Sequence, residues 1–356
     1  MHYDPTEGRK IVMKIGIVTI YESVTNLGSY LQAYAMQAAL QEIGHEVCFI
    51  EKEPVSKVVR RCVCKLNPKR EFFLRFQKCA KYLHAKKLLR TIPQEDISKE
   101  RIDCLIYGSD EIWNMDNPYF KDPLFWGTNQ KGISRIAYAA SVGAMDEMTL
   151  NSNRDIAHGI CEFEAIFARD ERTQDMIGRF TRKTLPIVCD PTFLVPVQCL
   201  QKPVKLPKEK YLLVYTYGVD QMTEELIVRF AKEHELAIIS PCFWHVWCDR
   251  VIECEPLQFG TLVQNAEYVF TSTFHGAIFA MLNHKRCAIL PARSKVRDVV
   301  ERMGLKQHLI SSETTYEAFS RVMEQKFPDE EFENRLMEFR AESKMKLEGA
   351  LKCLEK

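Results

Sequence analysis

Short apolar runs alternate with longer segments of helical periodicity along most of the chain. Residues 14–20 form a mostly apolar run, which predicts a buried strand. Residues 30–43 carry apolar side chains at helical spacing and end before Gly44, so they predict a helix with a glycine C-cap. A second apolar run follows at residues 47–50. Together the three segments predict one βαβ unit of a parallel sheet.

The same alternation continues through the chain and is interrupted by a stretch rich in proline and lysine at residues 196–207. Before this stretch, further strands are predicted at residues 104–107, 136–140, 165–167 and 187–189. After it, strands are predicted at residues 211–215, 236–240, 268–270 and 286–290. We therefore predict an α/β protein in which two Rossmann-like domains with parallel sheets face each other across a cleft.

We place the domain boundaries by the same pattern. The N-terminal Rossmann-like domain covers residues 1–200 and contains a basic helical insertion at 56–92. The C-terminal Rossmann-like domain covers residues 201–325 and contains the candidate donor site. Residues 326–356 are charged and helical in pattern, and we expect them to pack back on the body of the protein.

The insertion has the strongest local charge bias in the chain. Between residues 57 and 90, twelve Lys or Arg stand against one acidic residue, Glu71, and apolar side chains are interleaved with them. Such a segment is usually a solvated face that covers its domain. The alternative is contact with anionic lipid headgroups or with a diphosphate-bearing acceptor. Nucleic acid is disfavoured, because no RNP-type or helix-turn-helix signature accompanies the charge.

Composition adds that the chain is an ordinary globular protein, with 46% hydrophobic and 27% charged residues and a net charge of +1. The 13 cysteines are an odd number, and most lie inside apolar runs, as free thiols do in a reducing cytoplasm. No apolar run approaches the ~20 residues of a membrane span, and the first ten residues give no export signal. We expect a cytoplasmic protein, with peripheral contact at the inner membrane face as the alternative.

Candidate functional side chains are most concentrated at residues 268–276, where an apolar run is followed by three hydroxyl-bearing residues and then by His275. This pattern predicts a strand, a turn and the start of a helix. Ligands of open α/β sheets bind outside the carboxyl ends of strands, and helix starts attract anions, so His275 would donate a proton to an anionic ligand. The alternative is that Ser272 or Thr273 only caps the helix and that His275 is a satisfied residue of its first turn.

Other predicted strands also end in polar residues that suit a small, highly charged ligand. Arg169 directly follows an apolar run and can grip a carboxylate or phosphate, or form an ordinary ion pair with Asp170 or Glu171. Asp110 is a candidate base or a helix cap. The other strand-end candidates are Asn26, Gly28, Ser29, Ser109, Ser141 and Asp190.

An aromatic cluster follows the predicted strand at 236–240. Trp244 and Trp247 are candidates for a platform under the face of a sugar, with core packing as the alternative. The neighbouring His245 and Cys248 lack the second pair that a zinc site needs, so we predict no metal. The chain also lacks dinucleotide-binding and P-loop fingerprints and the nucleophile elbow of hydrolases.

Six motifs resemble, in order and at similar spacing, those of the polysaccharide pyruvyl transferase family. They are Asn26-Leu-Gly-Ser, Tyr107-Gly-Ser-Asp-Glu-Ile-Trp-Asn, Ala137-Tyr-Ala-Ala-Ser-Val-Gly, Arg169-Asp-Glu, Asp190-Pro-Thr and Thr271-Ser-Thr-Phe-His-Gly. The resemblance implies a GT-B-like fold and an enzyme that transfers a pyruvyl group from phosphoenolpyruvate to sugar hydroxyls, forming a pyruvate ketal in surface polysaccharide biosynthesis. It implies phosphoenolpyruvate as co-substrate, no cofactor, and a lipid-linked or soluble glycan as acceptor.

The resemblance also implies roles for individual residues. The family's histidine falls on His275 and its strand-end arginine on Arg169, as catalytic residues, and a later basic residue falls on Arg297. Donor binding is expected of Arg297, Ser272, Thr273 and Ser141, and acceptor binding of Asn26, Gly28, Ser29, Ser109, Asp110, Trp244 and Trp247. Some members have an arginine where this chain has Thr273, so one anion contact would be missing or supplied by Arg293, Lys295 or Arg297.

Two alternatives stay open from the sequence. One is a nucleotide-sugar glycosyltransferase on the same fold, which would bind a UDP- or GDP-sugar and not phosphoenolpyruvate. The other is a non-catalytic relative that acts as a binding module, which would keep its role after His275→Ala.

Overall fold

A computed structural model describes residues 11–21, 26–64, 71–128, 130 and 132–354 of the chain. One sheet contains β1 (Lys14–Val18), β2 (Glu46–Glu51), β3 (Thr91–Pro93), β4 (Cys104–Tyr107), β5 (Ser134–Ala140) and β6 (Ala165–Ala168). The other contains β7 (Tyr211–Tyr215), β8 (Ala237–Pro241), β9 (Arg250–Ile252), β10 (Tyr268–Thr271) and β11 (Arg286–Ile289). Their spatial orders are β3-β2-β1-β4-β5-β6 and β11-β10-β7-β8-β9, and the paired strands are parallel. The predicted fold class is confirmed.

Helices connect the strands and cover the sheets. Those of the first half are α1 (Leu27–Glu42), α2 (Val55–Cys64), α3 (Glu71–Lys86), α4 (Glu147–Ser152), α5 (Arg154–Ala157), α6 (Glu171–Thr181) and α7 (Pro191–Leu194). Those of the second half are α8 (Gln221–Glu233), α9 (Pro256–Gln264), α10 (Phe274–Leu282), α11 (Ser294–Arg302), α12 (Tyr316–Glu324) and α13 (Asp329–Lys352).

Three details differ from the sequence prediction. The segment 187–189 does not form a strand: Val188 N donates to Ala168 O at 2.9 Å, but the chain turns into α7 directly afterwards. The strands β3 and β9 were not predicted, because three residues are too few to show a period. Helix α1 begins at Leu27, three residues before the predicted start at residue 30, because Asn26 caps it.

Helix α1 is buried on nearly all sides. Twelve of its 16 residues are buried, and the helix packs against α7 of its own half and against α9 and α10 of the second half. A helix that is apolar all round lies in the interior of a protein. It therefore joins the two halves through a continuous apolar core.

Helix α3 of the basic insertion also bridges the halves. Lys78 Nζ contacts the carbonyl oxygen of Cys242 and lies 3.7 Å from the carboxylate of Glu253. Lys81 Nζ donates to Glu253 O at 2.6 Å, and His84 Nδ1 lies 2.8 Å from a carboxylate oxygen of Glu255. Part of the predicted insertion, namely residues 65–70 and the side chains at 61–64 and 71–75, lies outside the described residues. Within the described part, part of the positive charge is used for contacts inside the protein.

The C-terminal helix α13 returns to the first half. Cys189 N donates to Ser343 Oγ at 3.0 Å, Arg340 Nε donates to Phe193 O at 2.5 Å, and Lys344 pairs with Glu42 at 3.3 Å. These contacts fix the base of the cleft. The domain boundaries at residues 200 and 325 stay predictions.

Candidate functional site

The carboxyl ends of strands from both sheets open onto one cavity of about 340 Å³ between the halves. This volume suits a small-molecule ligand, and the position is the one expected for open parallel sheets. From the first half the cavity is lined by Ile20, Asn26, Asp110, Glu111, Asn117 and Phe120. From the second half it is lined by residues 272–275, by parts of 292–296, and by Tyr215, Tyr217 and Gly218.

His275 lies in the first turn of α10, with 6% of its surface exposed, and lines the cavity. Thr273 caps this helix, because its hydroxyl accepts a hydrogen bond from Gly276 N at 3.0 Å. Ser272 Oγ and Thr216 Oγ1 share a hydrogen bond at 2.5 Å. His275 Nε2 has no hydrogen-bond partner among the described residues. The capping alternative therefore holds for Thr273, whereas His275 is not a satisfied core histidine.

The start of α1 packs directly against the imidazole. A Cβ added at Gly28 would overlap the ring of His275. Asn26 accepts hydrogen bonds from Gly28 N at 3.1 Å and from Ser29 N at 3.4 Å. Ser29 is fully buried and donates its hydroxyl to Asn26 O at 2.9 Å, so it is not available to an acceptor. Gly28 contributes by leaving room for the histidine.

Arg169 was expected to grip the donor, but it does not line the cavity. Its side chain is 2% exposed, and its guanidinium lies over the ring of Phe274 at 4.7 Å from the ring centre. Nη1 is 3.5 Å from Asp110 Oδ1 and 3.5 Å from Asp190 Oδ2, while Nε and Nη2 have no hydrogen-bond partner in the described part of the chain. Phe274 and Asp110 both line the cavity, so Arg169 contacts the cavity wall from behind, through these two residues.

Two serines expected at the ligand are also behind the wall. Ser109 is fully buried and donates to Gln32 Oε1 at 2.9 Å and to Asp190 Oδ2 at 3.3 Å. Ser141 is fully buried and donates to Asp170 Oδ2 at 2.6 Å. Both hydroxyls are bonded to acceptors within the protein, and neither residue lines the cavity.

Two basic side chains reach the cavity at the start of α11. Lys295 Nζ lies 2.7 Å from Glu111 Oε1, and Arg293 Nη1 lies 2.9 Å and 3.0 Å from the two oxygens of the same carboxylate. Arg297, which we expected to bind the donor, does not line the cavity. It is two residues further along α11, hence on the opposite side of the helix from Lys295. There its side chain is 52% exposed and pairs with Glu301 at 3.8 Å.

The aromatic platform is displaced from the predicted position. Trp244 is 56% exposed and does not line the cavity. Trp247 packs against the core of the second half and stacks on His245 at 5.1 Å. Tyr217 lines the cavity instead, 65% exposed, with its ring edge-on to Phe243 at 5.0 Å. In the same loop, His245 Nε2 lies 3.2 Å from Thr216 O.

The electrostatics of the cleft keep His275 neutral at neutral pH. Burial lowers the pKa of the imidazole below its usual value, and the carboxylates of Asp190 and Asp110 oppose this only in part. Asp190 Oδ2 lies 3.8 Å from His275 Nε2, outside hydrogen-bonding distance. An anion that enters the cavity would favour the protonated ring.

The carboxylates are ionised. Burial acts to raise the pKa of Asp110, but the positive charges of Arg169 and Lys295 outweigh it, so the pKa lies below its usual range. Burial also opposes ionisation of Glu111, yet Lys295 and Arg293 lower its pKa to about 2. The positive side chains around the cavity therefore form ion pairs with carboxylates of the protein.

Glu111 and Tyr217 are among the cavity residues that the sequence prediction missed. Glu111 directly follows the candidate Asp110, and Tyr217 follows the predicted strand 211–215 by two residues. Both therefore satisfy the strand-end rule that selected the other candidates.

Within the described residues, no group of three or more His, Cys, Asp or Glu side chains is placed to hold a metal ion. None of the helices in the described ranges combines the length and the hydropathy needed to cross a membrane.

The fold is similar to that of UDP-GlcNAc 2-epimerases and of a forosaminyltransferase. UDP-GlcNAc 2-epimerase from Neisseria meningitidis, solved with UDP-GlcNAc, superposes with a TM-score of 0.53 at 11% identity over 95% of this chain and 99% of its own. UDP-GlcNAc 2-epimerase from Methanocaldococcus jannaschii gives 0.52 at 14% identity over 89% and 93%. Spinosyn forosaminyltransferase gives 0.50 at 14% identity over 97% and 100%. At these identities the likeness defines the class of fold, a GT-B-like pair of Rossmann domains.

The sequence model of the polysaccharide pyruvyl transferase family matches residues 26–292, a range that contains all six motifs. The chain belongs to this family and is a transferase. No curated protein matches the chain.

Proposed function

We propose that this protein transfers a pyruvyl group from phosphoenolpyruvate to two hydroxyls of a sugar, forming a pyruvate ketal. The observation that carries the proposal is the cavity at the start of α10, where His275 lies along the same wall as Arg293 and Lys295, with its Nε2 lacking a hydrogen-bond partner among the described residues. Phosphoenolpyruvate carries a carboxylate and a phosphate, the groups that basic side chains and helix starts bind. Family membership supports the reaction class.

The proposed reaction begins with protonation of C3 of phosphoenolpyruvate, which converts the methylene group to a methyl group and leaves positive charge at C2. One sugar hydroxyl attacks C2 and gives up its proton. The bond from C2 to the phosphate oxygen then breaks, and phosphate leaves with the electron pair. The second hydroxyl closes the ring at C2. Of the two protons released, one replaces the proton added to C3 and the other leaves with the phosphate.

His275 is the proposed proton donor to C3. Burial lowers the pKa of the ring, and the negative charge of the bound donor would favour its protonation. Asp190, at 3.8 Å from Nε2, faces the ring and would stabilise the imidazolium. A positioned general acid is worth ~10²–10⁴ in rate.

Asp110 is the proposed acceptor of the proton from the sugar hydroxyl. It lines the cavity from the first half, opposite the basic residues, and it is ionised. Arg169 lies behind it at 3.5 Å and would hold the carboxylate in place as a positioning residue. This arrangement keeps the donor and the acceptor hydroxyl on opposite sides of the cavity.

Tyr217 is the proposed contact for the acceptor sugar. Its exposed ring lies at the cavity and is supported edge-on by Phe243. Thr216 Oγ1 accepts from Gly218 N at 3.2 Å and bonds Ser272 at 2.5 Å, so the turn that carries Tyr217 is tied to the loop before His275. A sugar face stacked on this ring would be held at a fixed distance from the imidazole.

A lipid-linked acceptor at the inner membrane face extends this proposal. In the described part of the insertion, Lys57, Arg60 and Lys87 are exposed. The apolar side chains of Phe76 and Leu83 are 67% and 39% exposed. Basic charge beside exposed apolar side chains suits an anionic membrane surface. Reversing the charges at positions 57, 60 and 87 should abolish co-sedimentation with anionic liposomes; if the native protein does not sediment, the membrane proposal fails.

The reaction is tested by measuring phosphate release from phosphoenolpyruvate in the presence of extracted lipid-linked glycans. A thermal shift with phosphoenolpyruvate alone should first show stabilisation of several degrees, as expected for a preformed donor site. Saturable binding of a UDP- or GDP-sugar without binding of phosphoenolpyruvate would favour the glycosyltransferase alternative. A biological role that persists after His275→Ala would favour the non-catalytic alternative.

A further inference from the structure

Glu111 places a negative charge in the cavity wall directly beside two basic side chains that could bind an anionic ligand. Its carboxylate lies 2.7 Å from Lys295 Nζ, and Arg293 Nη1 contacts both of its oxygens at 2.9 Å and 3.0 Å. All three side chains line the cavity. Within the described residues, neither basic side chain has another carboxylate within ion-pair distance.

The position of this carboxylate is built into the first half of the molecule. Asn114 Nδ2 donates to Glu111 Oε2 at 3.3 Å. A Cβ at position 143 would overlap the same carboxylate, so Gly143 leaves the space that it occupies. The side chain is 14% exposed and carries its charge at neutral pH. Glu111 is therefore a permanent, held anion.

The contact also crosses the cleft. Glu111 follows β4 of the first half, whereas Arg293 and Lys295 lie at the start of α11 in the second half. A partly buried ammonium group needs a counter-charge, and Glu111 supplies one from the opposite wall. A carboxylate or phosphate of a ligand would be bound by the same two cations.

We propose that Glu111 stands in for the carboxylate of the ligand, and that an anionic ligand binds between Arg293 and Lys295 by displacing it. The inference rests on the proposed function for the identity of that ligand, phosphoenolpyruvate. It assigns the pair Arg293 and Lys295 as the carboxylate subsite. It also makes Glu111 a residue that lowers the affinity for anions and couples their binding to a change in the contact between the halves.

The opposite hypothesis is that Glu111 positions the two cations for the ligand. The two hypotheses predict opposite changes in anion affinity for Glu111→Gln, which keeps the shape of the side chain and removes its charge. If Glu111 competes with the ligand, the variant binds anions more tightly, by about 1.5-fold to fivefold in Kd, the range expected for a partly exposed ion pair. If Glu111 positions the cations, the variant binds more weakly.

The experiment is isothermal titration of the full chain with inorganic phosphate and with phosphoenolpyruvate, using wild type, Glu111→Gln and the matched control Glu301→Gln. Glu301 pairs with Arg297 on the outer face of the same helix, so the control removes an acidic charge from α11 without touching the cavity. We expect tighter binding of both ligands by Glu111→Gln and no change in Glu301→Gln.

A second measurement keeps the test valid if Glu111→Gln is less stable. In thermal melts the variant should melt below wild type without ligand, since it lacks the ion pairs, and the gap should close at saturating phosphate. Binding that is equal or weaker in a folded variant, with wild type still binding phosphoenolpyruvate, overturns the inference and leaves the proposed function standing. If neither protein binds phosphate or phosphoenolpyruvate, both are overturned.

Discussion

The two walls of the cleft differ in the charge that they present to the cavity. The first half contributes the carboxylates of Asp110 and Glu111, while the second half contributes Arg293, Lys295 and the imidazole of His275. One wall suits an anionic donor and the other suits hydroxyl groups that must lose protons. The two halves share a Rossmann-like fold, and the residues that follow their strands give the two walls of the cavity different charges.

The largest effect should come from the basic wall, at the proposed proton donor. Replacing His275 by Gln keeps a polar side chain of similar size but removes the titrating group. We expect phosphate release to fall by ~10²–10⁴-fold, with the Kd of phosphoenolpyruvate changed far less. Single-turnover kinetics and calorimetric titration separate the two quantities. A variant that turns over at the wild-type rate would remove His275 from the chemistry.

On the acidic wall, Asp110→Asn should affect the rate and spare donor binding. The amide cannot accept the proton of the sugar hydroxyl, so kcat should fall by about 10²-fold. The Kd of phosphoenolpyruvate should stay the same or decrease, because a negative charge is lost from the cavity. Weaker donor binding in this variant would show that the two walls are not separated in function. Ser109→Ala, which alters a hydroxyl behind the wall, is the control.

Lys295→Met is expected to weaken donor binding and largely to spare the rate. Loss of a charged contact to a dianion should raise the Kd of phosphoenolpyruvate by roughly 10- to 100-fold, with a smaller effect on kcat at saturation. Arg297→Met, on the outer face of the same helix, is the matched control and should bind the donor like wild type. Equal losses in the two variants would contradict the placement of the donor.

Gly28→Ala tests the contact between the walls without changing any charge. The added methyl group would overlap the imidazole, so the ring must move or the helix must shift. We expect at least about tenfold lower activity and a loss of ~1–3 kcal/mol in the free energy of unfolding. Gly349→Ala in α13, where nothing lies within 4 Å, should instead be stabilised, by ~0.5–1 kcal/mol. Full activity in Gly28→Ala would show that the position of the ring is not critical.

The smallest effect concerns pH. The pKa of His275 is lower in the folded protein than the ~6.5 of an unfolded chain, so the unfolded state takes up a proton first as the pH falls. Stability should therefore decrease as the pH falls below about 6.5, and part of this loss should be absent in the variant His275→Gln. Urea melts of both proteins between pH 7.5 and pH 5.5 measure the free energy of unfolding. An identical pH dependence in both proteins would contradict the lowered pKa.

The sequence was sufficient for the parallel sheets, the cleft and the position of His275, because apolar runs and the residues after them follow simple periodic rules. It was insufficient for Arg169, Ser109 and Ser141, since a residue at a strand end can face either the cavity or the interior. Arg297 was predicted to bind the donor, but Lys295, on the opposite side of the same helix, is the residue that lines the cavity. Tyr217 and Glu111 were overlooked because their importance depends on what faces them across the cleft.

The most direct test of the central claim is the reaction in D₂O, followed by NMR of the methyl group of the product. If C3 of phosphoenolpyruvate is protonated by His275, the wild-type ketal should contain one solvent deuterium in that methyl group, and His275→Gln should form this product at least about 100-fold more slowly. A methyl group without deuterium, or an undiminished rate in the variant, would contradict the account.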